Sequence, residues 1–345
     1  KKVMVFLLTN HWEAMNQEVL KKRKGFRELV SRLGVLPLAK QLFDAYWVEM
    51  KKIRPGPKQQ QQEALDAEVA LLRLMVKKGK SEVVDFLLSQ MDPRREPRGV
   101  FWMFEELLNL ACQALHIHVD TFGCLLKAYL KVRGLNRRRG EFLDDPPTFA
   151  QKLLHLACEK GNLEIVKMIF ESGTKEVAVN DSIEESSPLT CAIDSGNADL
   201  VRYLLFEMKA NPNKVLADLT VLQHILGAKV APQARLEMVQ AALKAGAFIH
   251  LTLPGTQAPL LLAVHNEDCT PELISFLLQN GAKVESCVRW TVVLQAERSI
   301  DPCTHEVMRV LIPALRSASS KGLNNVDKLI VGSLTECVSR WRDDI

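Results

Sequence analysis

Several clusters in the chain carry residue types that do chemistry. Gly79-Lys80-Ser81 has the tail of a phosphate-binding loop, in which backbone N–H groups cradle phosphate and the hydroxyl holds magnesium. That loop needs a second glycine five positions earlier, where Leu74 stands, and a strand ahead of it, which is missing. Cys112 and His116, four apart, can share a helix face, and His118 follows, as in the start of a zinc set. Residues 116 and 118 fall on opposite sides of a helix, however, and no second Cys/His pair completes a tetrahedron. A buried thiol near a solvated imidazole accounts for the cluster. Cys303-Thr304-His305 reads as part of an inter-helix insertion with no partner signal, and cysteine catalysis needs a positioned base.

The chain has no G-x-S-x-G, no H-E-x-x-H, no dinucleotide fingerprint and no calcium loop. It therefore reads as a non-enzyme with no cofactor and no metal. Basic runs offer different chemistry. Lys21-Lys22-Arg23-Lys24 and Arg137-Arg138-Arg139 could neutralise phosphates if they converged. No nucleic-acid reading motif accompanies them, and solvated loops explain them as well.

Composition narrows the elements that must position these groups. Of 345 residues, 47% are hydrophobic, 25% charged and only 6% aromatic, and Leu-rich helix-forming stretches dominate, so the fold class is all-α. Strand-like alternation is hard to find. Formal net charge is +4, split between a basic 1–150 (26 Lys+Arg, 18 Asp+Glu) and a mildly acidic 151–345 (19 and 23). That asymmetry fits either an anionic partner for the first part or ordinary solvated faces.

The eight cysteines are dispersed through apolar helical runs, unlike the clustered frame of a small secreted domain. The reading is a reduced, intracellular protein, cytoplasmic in the first instance. Organelle and nucleus stay open because the chain opens at Lys1 rather than Met, which implies a missing start. The sequon Asn180-Asp181-Ser182 carries weight only in a secreted chain. Runs such as residues 3–8 are too short to cross a membrane.

The stretch LLHLACEKGNLEIVKMIFESG, Leu153 to Gly173, reads as two short helices broken by exposed Glu159-Lys160 and the turn residues Gly161-Asn162. Two such helices cannot bury their apolar faces alone, so the unit should recur. It does. PLTCAIDSGNADLVRYLLFEM repeats the Leu, Ala, Gly and Leu-Leu pattern, and PLLLAVHNEDCTPELISFLLQNGAKV does so again from Pro259. Weaker copies bring the key aliphatic positions to 72, 108, 154, 189, 222, 260 and 293, spaced 36, 46, 35, 33, 38 and 33 apart.

This pattern resembles the ankyrin repeat, Thr-Pro-Leu-His-x-Ala followed by Gly and a helix ending in Leu-Leu-x-x-Gly. The resemblance covers roughly residues 70–315 and implies an all-α solenoid of stacked helix-turn-helix units. It gives small Ala157, Ala192 and Ala263 the role of letting first helices stack. It places Gly161, Gly173, Gly196, Gly246 and Gly281 at helix ends needing positive φ. His155 holds the family's His position, whose ring would bond loop backbone. The same position is Arg73, Asn109, Thr190, Gln223, Leu261 and Leu294 in the other copies, so a divergent array with weaker turns is expected.

Residues 1–69 read as a helical cap or degenerate repeats with a connector at RPGPKQQQQ, 70–315 as the array, and 316–345 as a C-terminal capping helix. By the family's register, the protein-binding positions are Thr148, Phe149, Gln151, Glu159, Lys160, Glu184, Ser186, Asp194, Ser195, Gln257, His265, Trp290 and Arg298. Trp290 stands out as a large aromatic at a turn, either an interface anchor or packing for its neighbour. The functional expectation is a non-enzymatic protein-interaction scaffold, either an adaptor or a fixed subunit of a larger complex. Insertions near 134–148, 174–187 and 227–235 lean towards the subunit. The alternative is an RNA- or anionic-surface-associated protein using Lys21, Lys22, Arg23, Lys24, Arg137, Arg138 and Arg139.

Overall fold

The fold was obtained as a computed structural model that describes residues 69, 72–73, 75–90, 97–113, 118–138, 148–172, 177–266, 268–284 and 302–319. Residues 1–68 and 320–345, expected as caps, lie outside the described residues. The chain divides into two compact units. Unit 1 comprises residues 1–156 with 164–174, and unit 2 comprises 157–163 with 175–345.

In unit 1, α1 (Ser81–Gln90) and α2 (Pro97–Gln113) both pack on α3 (Val119–Arg138). Their apolar faces close around Leu72, Met75, Val84, Leu107, Leu108, Phe122 and Leu125. Gly79 turns the chain into α1 with φ +62, and a Cβ there would stand 2.0 Å from the His118 ring. Only a glycine fits both the left-handed turn and the packed imidazole. The Gly-Lys-Ser triplet is thus a turn leading into a helix. Helix α4 (Thr148–Glu159) begins in unit 1, where Phe149 meets Tyr129 at 5.6 Å between ring centroids. Helix α5 (Leu163–Glu171) buries Ile165, Val166 and Ile169.

Unit 2 repeats one motif. A short helix is followed by a tight turn and a second helix: α6 (Pro188–Asp194) with α7 (Ala198–Phe206), α8 (Val221–Gly227) with α9 (Pro232–Lys244), and α10 (Pro259–His265) with α11 (Pro271–Gln279). First helices pack on first helices, α6 on α8 and α8 on α10, and α7 packs on α9. Seven residues are too few for a helix stable in water, so caps and packing must hold α6, α8 and α10. Ala192 and Ala263 are fully buried at the crossing points, as the repeat reading expected. Gly161 shows how a helix in this register ends. Its φ is +65, its N–H donates to Cys158 O at 2.9 Å, and Asn162 N–H donates to Ala157 O at 3.1 Å. That pairing satisfies the last carbonyls of α4. Gly196, Gly246 and Gly281 share the positive φ, and Gly173 lies outside the described residues.

Two features depart from expectation. A two-residue hairpin, β1 (Val215–Leu216) and β2 (Leu219–Thr220), precedes α8, with Val215 paired to Thr220 and Leu216 to Leu219. Four residues are too few to show alternation. Its turn uses Ala217 at φ +48 and Asp218 at φ +59, the left-handed pair that matches strand twist. Next, α12 (Pro302–Ser319) packs on α11 and runs through both the supposed insertion at Cys303-Thr304-His305 and the expected boundary at 316. Its apolar stripe, Val307, Met308, Leu311, Ile312 and Leu315, has helical spacing up to that boundary, and the helix continues to Ser319.

Candidate interaction surface

The backbone frame of unit 2 is fixed by side chains bonding from one repeat to the next. Each short helix starts with orphan N–H groups that need partners. At α6, Ser187 Oγ accepts from Thr190 N–H at 3.2 Å and Thr190 Oγ1 accepts from Ser187 N–H at 2.8 Å. At α8, Thr220 Oγ1 accepts from Gln223 N–H at 3.2 Å and Gln223 Oε1 accepts from Thr220 N–H at 2.9 Å. These reciprocal caps stand where weaker turns were expected. Thr190 and Gln223 replace the family's His with side chains that close the same turn. Gln223 also reaches into the following repeat, its Nε2 donating to Thr256 Oγ1 at 3.0 Å and to Gln257 O at 2.8 Å.

Asparagines continue the ties. Asn197 Nδ2 donates to Gly161 O at 2.8 Å, Asn213 Nδ2 to Gly246 O at 2.9 Å, and Asn266 Nδ2 to Leu226 O at 2.9 Å. Asn180 Oδ1 accepts from Asn211 N–H at 2.7 Å, and Lys214 Nζ donates to Asn180 O. The sequon asparagine therefore serves as a brace between two turns.

With the frame held internally, one strip of unit 2 stays open. Glu159 and Asp194 end their helices exposed, and both raise the pKa of half-buried Cys191, after burial, the larger cause. Asp194 Oδ1 lies 3.0 Å from His224 Nε2 on α8, and His265 Nδ1 lies 3.1 Å from Gln257 Oε1. Beside the strip project the turns. Glu184 sits exposed at φ +54 within the Ile183–Ser186 bridge, and exposed Asp218 tips the hairpin.

The expected binding residues divide accordingly. Glu159, Lys160, Glu184, Asp194, Gln257 and His265 are exposed, and Ser186 and Ser195 are half-buried. Phe149 and Gln151 must be withdrawn from the surface. Phe149 is buried against Tyr129, and Gln151 is buried with its amide 3.3 Å from the His155 ring. Both take the inward side of α4, because the helix already begins at Thr148 and the positions expected in an exposed turn are helical. Thr148 opens α4, and its side chain is outside the described set, as are those of Arg137 and Arg138 at the end of α3. Lys21, Lys22, Arg23, Lys24, Arg139, Trp290 and Arg298 lie outside the described residues. Three residues escaped the sequence reading. Gln223 and His224 sit one and two positions after Leu222, which the register does identify, but Arg235 has no repeat signature.

Cys112 and Cys158 are poor nucleophiles. Burial pushes the Cys112 thiol up to about 12 and the Cys158 thiol higher still. Among the described residues, no group of three or more His, Cys, Asp or Glu could hold a metal ion, and no helix is long and apolar enough to cross a membrane.

A family model of ankyrin repeats matches residues 108–215 with three copies. Residues 108–215 thus carry ankyrin repeats. Ankyrin repeats are generally protein–protein interaction modules. The ankyrin repeat protein R784 of Acanthamoeba polyphaga mimivirus is 26% identical over 128 residues, which cover 37% of this chain and 22% of that relative. The chain's match thus spans about a fifth of the relative's length. Among solved structures, the human ASB11 ankyrin repeat domain is 19% identical, covering 62% of this chain and 85% of that one, with a TM-score of 0.43. The ankyrin repeat domain of Bcl-3, a member of the IkappaB protein family, is 20% identical, covering 62% and 86%, with a TM-score of 0.40.

Proposed function

We propose that this protein is a non-enzymatic scaffold, an adaptor or fixed subunit, that holds a protein partner along the strip Glu159, Asp194, His224, Gln257 and His265 and the adjoining turns at Glu184 and Asp218. One observation carries the reading. The frame residues Gln223, Asn197, Asn213 and Asn266 direct their amide groups at the backbone of neighbouring repeats, whereas Glu159, Asp194, Gln257 and His265 keep exposed side chains, with Asp194 beside His224 and Gln257 beside His265. A rigid frame with an exposed polar face loses little entropy on binding. The paired His and carboxylate groups supply directional contacts of the kind that select a partner.

The test is affinity capture of the full-length protein under mild lysis, split into nuclease-treated and high-salt arms, with mass spectrometry of what stays bound. The reading expects protein partners at fixed ratio in both arms. Loss of the whole set after nuclease would contradict it and turn attention to the basic runs, because phosphate-dominated binding depends on the nucleic acid and collapses with salt.

A further inference from the structure

The link between α8 and α9 is neither helix nor strand, yet Ala228 and Val230 within it are buried while Lys229 and Ala231 face solvent. It lies as a strap. Val230 covers the preceding turn, since a Cβ on Gly196 would meet its Cγ1 at 3.7 Å. On its inner side the strap presents carbonyls, and a buried carbonyl without a donor is costly.

Arg235, in the first turn of α9, supplies the donors. Its Nη2 donates to Ala228 O at 2.9 Å and Val230 O at 3.2 Å, and its Nη1 donates to Asp268 O at 3.1 Å in the turn before α11. The side chain is 1% exposed, while the nearest carboxylate, Asp268 Oδ2, is 3.9 Å away and largely solvated. Helix α9 has no side-chain cap at Ala231, so Arg235 is the side chain that bonds the strap carbonyls to its helix end.

We propose that Arg235 is a latch that holds the strap 228–231 down and joins it to the Asp268 turn, so that the two segments open and close as one unit. The planar guanidinium suits this task because one fork reaches carbonyls in two consecutive repeats, which the point charge of a lysine cannot do at once. Opening has a consequence for the surface. Ala231 and Gln233 form one wall of an open groove shared with Lys160, Ser195, Asn197 and Asp199, so the latch sets how wide that groove stands.

Hydrogen exchange on the full chain tests the latch without any partner. The reporters are Val230 N–H on the strap, Asp268 and Cys269 N–H in the turn, and the interior amides of α7 as reference. In Arg235→Met, which keeps bulk and removes every donor, strap and turn amides should both exchange faster by about tenfold or more, equivalent to about 1.4 kcal/mol. The α7 amides should change less than about twofold, and Arg235→Lys should fall between. Acceleration of the strap alone, uniform acceleration through α6–α11, or no change would each overturn the proposal. Should Arg235→Met fail to fold, the wild-type protein still decides. In low denaturant, Val230, Asp268 and Cys269 should share one opening free energy, and separate values would contradict the latch.

Discussion

The starts of α6 and α8 and the start of α9 use side chains on opposite backbone groups. At α6 and α8 the orphan N–H groups are bonded by short local side chains, Ser187 with Thr190 and Thr220 with Gln223. At α9 the cap position is Ala231, Pro232 removes one donor, and a buried cation from inside the helix gathers the carbonyls of the preceding link. The Ser187–Thr190 cap holds its own turn, and Gln223 reaches the next repeat with its amide. The Arg235 arrangement couples two turns, because its third carbonyl belongs to Asp268. The difference teaches that short caps and amides close the regular turns and tie each repeat to its neighbour, and that where the repeat is irregular, as at residues 227–235, one long side chain gathers the link and the next turn.

The comparison can be broken at the caps. Gln223→Ala removes the cap on Thr220 and the bonds to Thr256 and Gln257 from a fully buried site, so denaturant unfolding should show a loss of about 2 kcal/mol. Ser187→Ala removes only a local cap and should cost about 1 kcal/mol in the same assay. A cost at Ser187 equal to that at Gln223 would mean that the bonds between repeats add nothing. The smallest change sharpens the contrast from the other side. Ala231→Ser gives α9 the cap it lacks and should gain about 0.5 kcal/mol. The gain should be larger in the Arg235→Lys background, where the latch is weakened, and equal gains would show that cap and latch act independently.

Much of the frame was legible in sequence because each of its parts has a local cause. Leu154, Leu189 and Leu260 mark buried faces, Ala192 and Ala263 mark close crossings, and Gly161 and Gly196 mark left-handed helix ends. Thr190 and Gln223 misled because they were read as missing histidines, whereas a hydroxyl or amide three residues after Ser187 or Thr220 is itself a capping signal. Phe149 and Gln151 misled through register. One residue along a helix rotates a side chain by about 100°, and because α4 runs from Thr148 both residues fall on its buried face. Arg235 was invisible for a different reason. Charged residues are expected outside, and only three-dimensional placement shows that its partners are backbone carbonyls from two separate segments. The candidate strip was legible in part: Glu159, Asp194, Gln257 and His265 follow from the repeat register, and His224 emerges only through its contact with Asp194.

The most direct test of the account places a photo-crosslinking residue at position 224 on α8 and, separately, at position 202 on the outer helix α7, in the full-length protein under conditions where partners co-purify. Arg202 is engaged by Asp199 at 2.5 Å and is not a strip residue, so it serves as the control. The account predicts a discrete protein adduct from position 224 and little or none from 202. Adducts from 202 with none from 224, while the partner still co-purifies, would contradict it and move the binding face to the outer helices.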